Sequence, residues 1–171
     1  PSATEIAVAL GLQENLVGRS HECDFPPEVL ALPVCTSTKL EKGLSSQAIE
    51  DRVKAIVEKG LSVYDVDAAL LKALRPDVIL TQAQCAVCAV TPADLEEALA
   101  TWVGTPPKLV SLAPDDLADV FGDLARVAEA AGVPERAPEA TARMQVGLGA
   151  LPPAPAVRPR MLAVEWIAPL M

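Results

Sequence analysis

Short apolar runs alternate along this chain with segments of helical period, and proline or glycine stands at most of the junctions. This order restricts the fold more than any other feature. Ile49, Val53, Ile56, Val57 and Leu61 recur at helical spacing behind Ser45 or Ser46, and Gly60 ends the run. Asp65 or Asp67 starts a further helix through Leu70, Leu71 and Leu74, which Pro76 closes. Asp77 to Thr81 then reads as a buried strand, and residues 82–90 as a loop. Thr91-Pro92 opens a helix to about Trp102, because proline suits the first helical position. Lys108 to Leu112 is a strand, and Asp115 or Asp116 caps a helix that ends near Gly132. Strands alternating with helices imply parallel pairing, with helices on both faces of one sheet. The fold class is therefore α/β with a parallel sheet.

The N-terminal segment is less regular. Ser2 and Glu5 fit a capping box, and Gly11 stops the short helix that follows. Leu16 to Gly18 and Val34-Cys35 read as short strands, with a loop over 19–34 broken by Pro26, Pro27 and Pro33. At the other end, Pro134 opens a helical stretch to about Leu151. Pro152 to Pro159 forms a stiff spacer, and Arg160 to Trp166 reads as a final strand. The 16 prolines among 171 residues thus punctuate a βα chain. They do not mark disorder, since 51% of the residues are hydrophobic.

Charge excludes whole classes of partner. Asp and Glu number 23 against 14 Lys and Arg, a net charge of −9. Phosphate backbones and anionic membranes need basic patches, so neither nucleic acid nor a polybasic membrane anchor fits. No run of about 18 apolar residues is present to span a bilayer.

In parallel sheets ligands bind beyond the carboxyl ends of the strands. That rule places the loops at 19–27 and 82–90, and the helix start at 1–5, on one rim. Two constellations of reactive side chains fall there. Ser20-His21-Glu22-Cys23-Asp24 packs an imidazole, two carboxylates and a thiol into five residues. These are metal-ligand types, and they are equally the types that cap a polar loop. Cys85-Ala-Val-Cys88 has the spacing of a metal pair, a disulfide, a redox couple or buried structural thiols. Its helix starts only at Thr91, too late for the helix dipole to activate a thiolate. His21, Cys23, Cys85 and Cys88 together make a four-ligand set if the two loops meet. That supports an alternative function, a metal- or thiol-dependent redox or enzyme domain. The chain's single histidine leaves acid–base chemistry to His21 or to carboxylates.

Several blocks, in order, resemble one family. They are Pro1-Ser-Ala-Thr-Glu-Ile6, Leu16-Val-Gly18, Ser20-His-Glu-Cys-Asp-Phe-Pro-Pro27, Leu74-Arg-Pro-Asp-Val-Ile-Leu80 and Arg158-Pro-Arg-Met-Leu-Ala-Val-Glu-Trp166. The family is that of the periplasmic binding proteins serving cobalamin, siderophore and haem ABC importers, and the branch is the cobalamin-binding one. The resemblance implies two α/β lobes joined by one long helix, with the ligand between them. On that pattern residues 1–133 are the first lobe without its first strand, and 134–151 the connecting helix. Residues 152–159 are the spacer and 160–171 the first strand of a second lobe that is mostly absent. It implies a solute carrier rather than an enzyme, located in the periplasm or on the outer face of the envelope. Its partners would be a small-molecule chelate and an ABC permease subunit, with cobalamin, a cobalamin-like corrinoid or a related metal chelate as the ligand and no resident cofactor. It would put Ser2, Ala3, Thr4, His21, Glu22, Cys23, Asp24, Phe25, Gln82, Cys85, Glu165 and Trp166 around the ligand.

Overall fold

The computed structural model describes residues 1–41, 43–58, 63–82, 95, 99, 100, 102–153 and 157–164. Helix α1 (Ser2–Ala9) buries Ala3, Ile6 and Ala7. It ends where Gly11 turns with φ +72°. The Gly11 amide then donates to the Val8 carbonyl and the Leu12 amide to the Ala7 carbonyl, each at 2.9 Å. The capping box does not form. Pro1 is the N-cap with no side-chain cap, because Ser2 already lies inside the first turn and its hydroxyl is engaged elsewhere.

Helix α2 (Ser46–Val57) is capped by Ser45, whose hydroxyl accepts from the Ala48 amide. Helix α3 (Ala68–Leu74) is capped by Asp67, which accepts from the Leu70 amide at 2.8 Å. Helix α4 (Leu117–Ala130) has Asp116 as its cap and closes at Gly132, again with positive φ. The stretch expected over 134–151 is a 3-10 turn (Pro134–Arg136) followed by α5 (Ala137–Gly149).

Strands β3 (Val78–Gln82) and β4 (Lys108–Leu112) pair in parallel, with Thr81 opposite Ser111. Both faces of this pair are covered. Leu80, Val110 and Leu112 meet a core of Ile6, Leu10, Leu124, Val127 and Ala128 from α1 and α4. Ile79 and Leu109 meet Cys35, Leu71 and Leu95 on the opposite face. A strand covered on both sides needs a continuous apolar run, and Val78-Ile79-Leu80 supplies it.

The structure corrects the expected sheet in five places. Strands β1 (Thr36–Thr38) and β2 (Tyr64–Val66) pair antiparallel, so pairing is not parallel throughout. β1 begins one residue after the expected Val34-Cys35, and β2 takes in Asp65, one of the two residues expected to start a helix. Leu16 to Gly18 forms no strand; the one ladder contact there is a parallel bridge between Arg19 and Val34. Residues 160–164 form no strand either. A strand exists only through a neighbour's hydrogen bonds, and among the described residues this segment has no paired neighbour. The expected helix start at Thr91-Pro92 lies outside the described residues, as do Gly60 and Leu61. No helix among the described residues is long and apolar enough to cross a membrane.

Candidate functional site

The C-terminal end of β3, the N-terminus of α1 and the loop after Arg19 converge on one rim. Gln82 closes β3, and its Nε2 donates to Ser2 Oγ at 2.6 Å. Thr4, one turn into α1, donates from Oγ1 to Cys23 Sγ at 3.0 Å. Arg19 shapes the loop from below, because one guanidinium nitrogen donates to the carbonyls of both Ser20 and Cys23. These contacts join segments up to 80 residues apart in sequence.

His21 is held by a small polar network. Its amide donates to Thr36 Oγ1 at 3.1 Å, and Nδ1 lies 2.7 Å from the same oxygen. Thr36 Oγ1 in turn donates to Ser20 Oγ at 3.1 Å, and Ser20 Oγ also accepts from the Glu22 amide. With the threonine proton on Ser20, Nδ1 must be the donor and Nε2 keeps its lone pair. Nε2 has no hydrogen-bond partner and is buried, although Glu22 Oε1 stands 3.2 Å away. A neutral ring therefore presents a lone pair there, and a charged ring pairs with Glu22. The Tyr64 ring packs against the imidazole, centroids 5.4 Å apart and tilted by 50°. Burial raises the Tyr64 pKa, and the Glu22 charge adds to that. Burial likewise raises the Cys35 thiol, against a partly compensating backbone hydrogen bond from Arg19.

Ala3, Thr4, His21, Glu22, Cys23 and Gln82 line one cavity of about 420 Å³. Residues 16–20 and the strand β3 line it as well. Among the expected site residues, Ser2 joins this group through Gln82. Asp24 and Phe25 do not line the cavity; both are exposed, Phe25 at 60%. Cys85, Cys88, Glu165 and Trp166 lie outside the described residues. Cys23 and Cys35 are free thiols. Among the described residues no three His, Cys, Asp or Glu side chains are grouped to hold a metal ion. Thr36, Tyr64 and Arg19 were not among the expected residues. Tyr64 is the only tyrosine in the chain, yet nothing in its neighbours ties it to a histidine 43 residues earlier (64 − 21).

No family model matches the sequence, and no curated protein does. Solved structures do. The periplasmic vitamin B12 binding protein BtuF of Vibrio cholerae matches with a TM-score of 0.58 at 19% identity, over 87% of this chain and 46% of that one. The periplasmic haem-binding protein RhuT from Roseiflexus sp. RS-1 matches at 0.55 and 23%, over 87% and 45%. A periplasmic haem-binding protein from Pseudomonas aeruginosa matches at 0.52 and 22%, over 86% and 42%. The chain thus spans about half the length of these structures. It has the α/β fold of a single lobe of such a two-lobed binding protein.

Proposed function

We propose that this chain is part of a solute-binding component of an ABC importer, and that its solute is a cobalamin-like corrinoid or a related metal chelate such as haem. The supporting observation is the convergence of the α1 N-terminus, His21 and Gln82 at the carboxyl end of a parallel strand, in the fold of proteins named for binding B12 and haem. Such sheets take ligands at that end. His21 lines the cavity together with Thr4, Glu22 and Cys23, which add polar side chains to it. Operation in the periplasm beside a permease belongs to the same reading.

The test is titration of the purified 171-residue chain with haem, cobalamin and cobinamide, followed by visible absorbance and thermal melting. At least one of them is expected to shift its absorption band and raise the melting temperature. His21→Ala should weaken that binding by roughly tenfold, about 1.4 kcal/mol. Absence of both signals with all three ligands would falsify the reading.

A further inference from the structure

We infer that the molecule carries a second binding site, at the amino ends of β3 and β4, suited to a free α-amino acid with a large apolar side chain. Lys72, Arg75, Asp77, Trp102 and Val103 are among the residues that line a cavity of about 430 Å³ there. Arg75 to Asp77 join the end of α3 to the start of β3, and Val103 to Pro107 lead into β4. The Lys108 amide donates to the Asp77 carbonyl at 2.9 Å and ties the two connections together. The rim that holds Ser2 and Gln82 is at the other end of these strands.

The cavity offers charges of both signs. Arg75 and Asp77 are exposed and stand two residues apart, yet among the described residues neither side chain makes an ion pair or a hydrogen bond. Lys72, on the last turn of α3, adds a second cation. Arg75 is the C-cap of α3, held at φ 47° and ψ 56°. It is the one non-glycine residue with positive φ among the described residues. A helix end of this shape favours glycine, and a side chain there is strained. Strain of this kind gathers at ligand clamps.

Beside the charges lies apolar surface. Trp102 packs on the cluster of Leu71 and Leu95. Its Nε1 donates to the Thr105 carbonyl at 3.0 Å, across a turn in which Gly104 has φ +97°. With that donor satisfied, the indole has only apolar and π surface to give a ligand. Val103 is 95% exposed, more than any other large hydrophobic side chain among the described residues. Charge then sorts the candidate ligands. A simple anion is repelled by Asp77, and a simple cation by Lys72 and Arg75. A zwitterion satisfies both signs. Its carboxylate pairs with Arg75 and Lys72, its ammonium with Asp77, and its side chain covers Trp102 and Val103. This inference goes beyond the solute-binding reading and does not depend on it.

Titration of the intact chain with L-phenylalanine, followed by tryptophan fluorescence, tests it, with phenylpropionate and phenylethylamine as the controls of single charge. L-Phenylalanine should change the emission saturably and bind at least about tenfold more tightly than either control. Arg75→Gly should weaken that binding at least about tenfold and keep the wild-type melting transition, since glycine accepts the left-handed backbone. Asp77→Asn should abolish the preference for L-phenylalanine over phenylpropionate, a change that a merely structural role would not produce. No saturable change with L-phenylalanine overturns the inference. So does equal affinity for L-phenylalanine and either control, or wild-type affinity in Arg75→Gly. A signal that survives undiminished in Trp102→Phe also overturns it, because Trp166, the chain's other tryptophan, would then be the reporter.

Discussion

Asp123 is a carboxylate among the buried side chains. It is fully buried on α4, one turn before Val127. Arg126 Nη2 approaches its Oδ1 to 2.8 Å. Burial raises its pKa, and the Arg126 charge offsets this only in part. A raised carboxylate pKa means that the folded chain binds the proton more tightly than the unfolded one. Stability should therefore fall as pH rises from about the ordinary carboxylate value of 3.9 through the raised folded value. Asp123→Asn should stabilise the chain at neutral pH by on the order of 1 kcal/mol and lose that advantage below the ordinary carboxylate range. Thermal melts of both proteins across that window check the sign. At this scale the sequence showed which residues were chemically interesting around His21. It could not show that Thr36 Oγ1 organises them, because a threonine fifteen residues away carries no local signal.

Among the elements, caps were the most legible feature. Ser45, Asp67 and Asp116, each one of the two residues expected at its helix start, cap these helices, because an Ncap bond is made within three residues. The box at Ser2 failed because Gln82 claims that hydroxyl across the fold. The C-terminal end of α1 shows a device that the sequence did not reveal. Arg143 on α5 donates to the Ala9 carbonyl at 2.6 Å, and Arg136 donates to the carbonyls of Leu10 and Gly11. Two cations thus satisfy the last carbonyls of α1 and its negative dipole end. Arg143→Ala should cost about 1 kcal/mol in urea unfolding, and adding Arg136→Ala should cost more. If the double variant is as stable as wild type, the clamp contributes nothing.

For the whole molecule, the two packing clusters on either side of β3 and β4 are unequal. Leu124 is fully buried among α1, β4 and α5 contacts, whereas Leu71 borders the cavity and is 8% exposed. Leu124→Ala should cost about 2–5 kcal/mol, and Leu71→Ala distinctly less, because its surroundings are already loosely filled. Equal losses by denaturant unfolding would argue that both faces are packed alike. The alternation of apolar runs and helical periods was enough by itself to specify an α/β chain, its main helices and two strands, Lys108–Leu112 as observed and Asp77–Thr81 one residue before the observed Val78–Gln82. Those signals are local, arising from side-chain period, caps and prolines. Only the tertiary structure decided that β1 and β2 run antiparallel, that Arg160 to Val164 pairs with no strand among the described residues, and that Thr4, Cys23, Ser2 and Gln82 meet at one rim. Strand pairing and site assembly depend on contacts between distant segments, and no local period encodes which distant edge a strand will find.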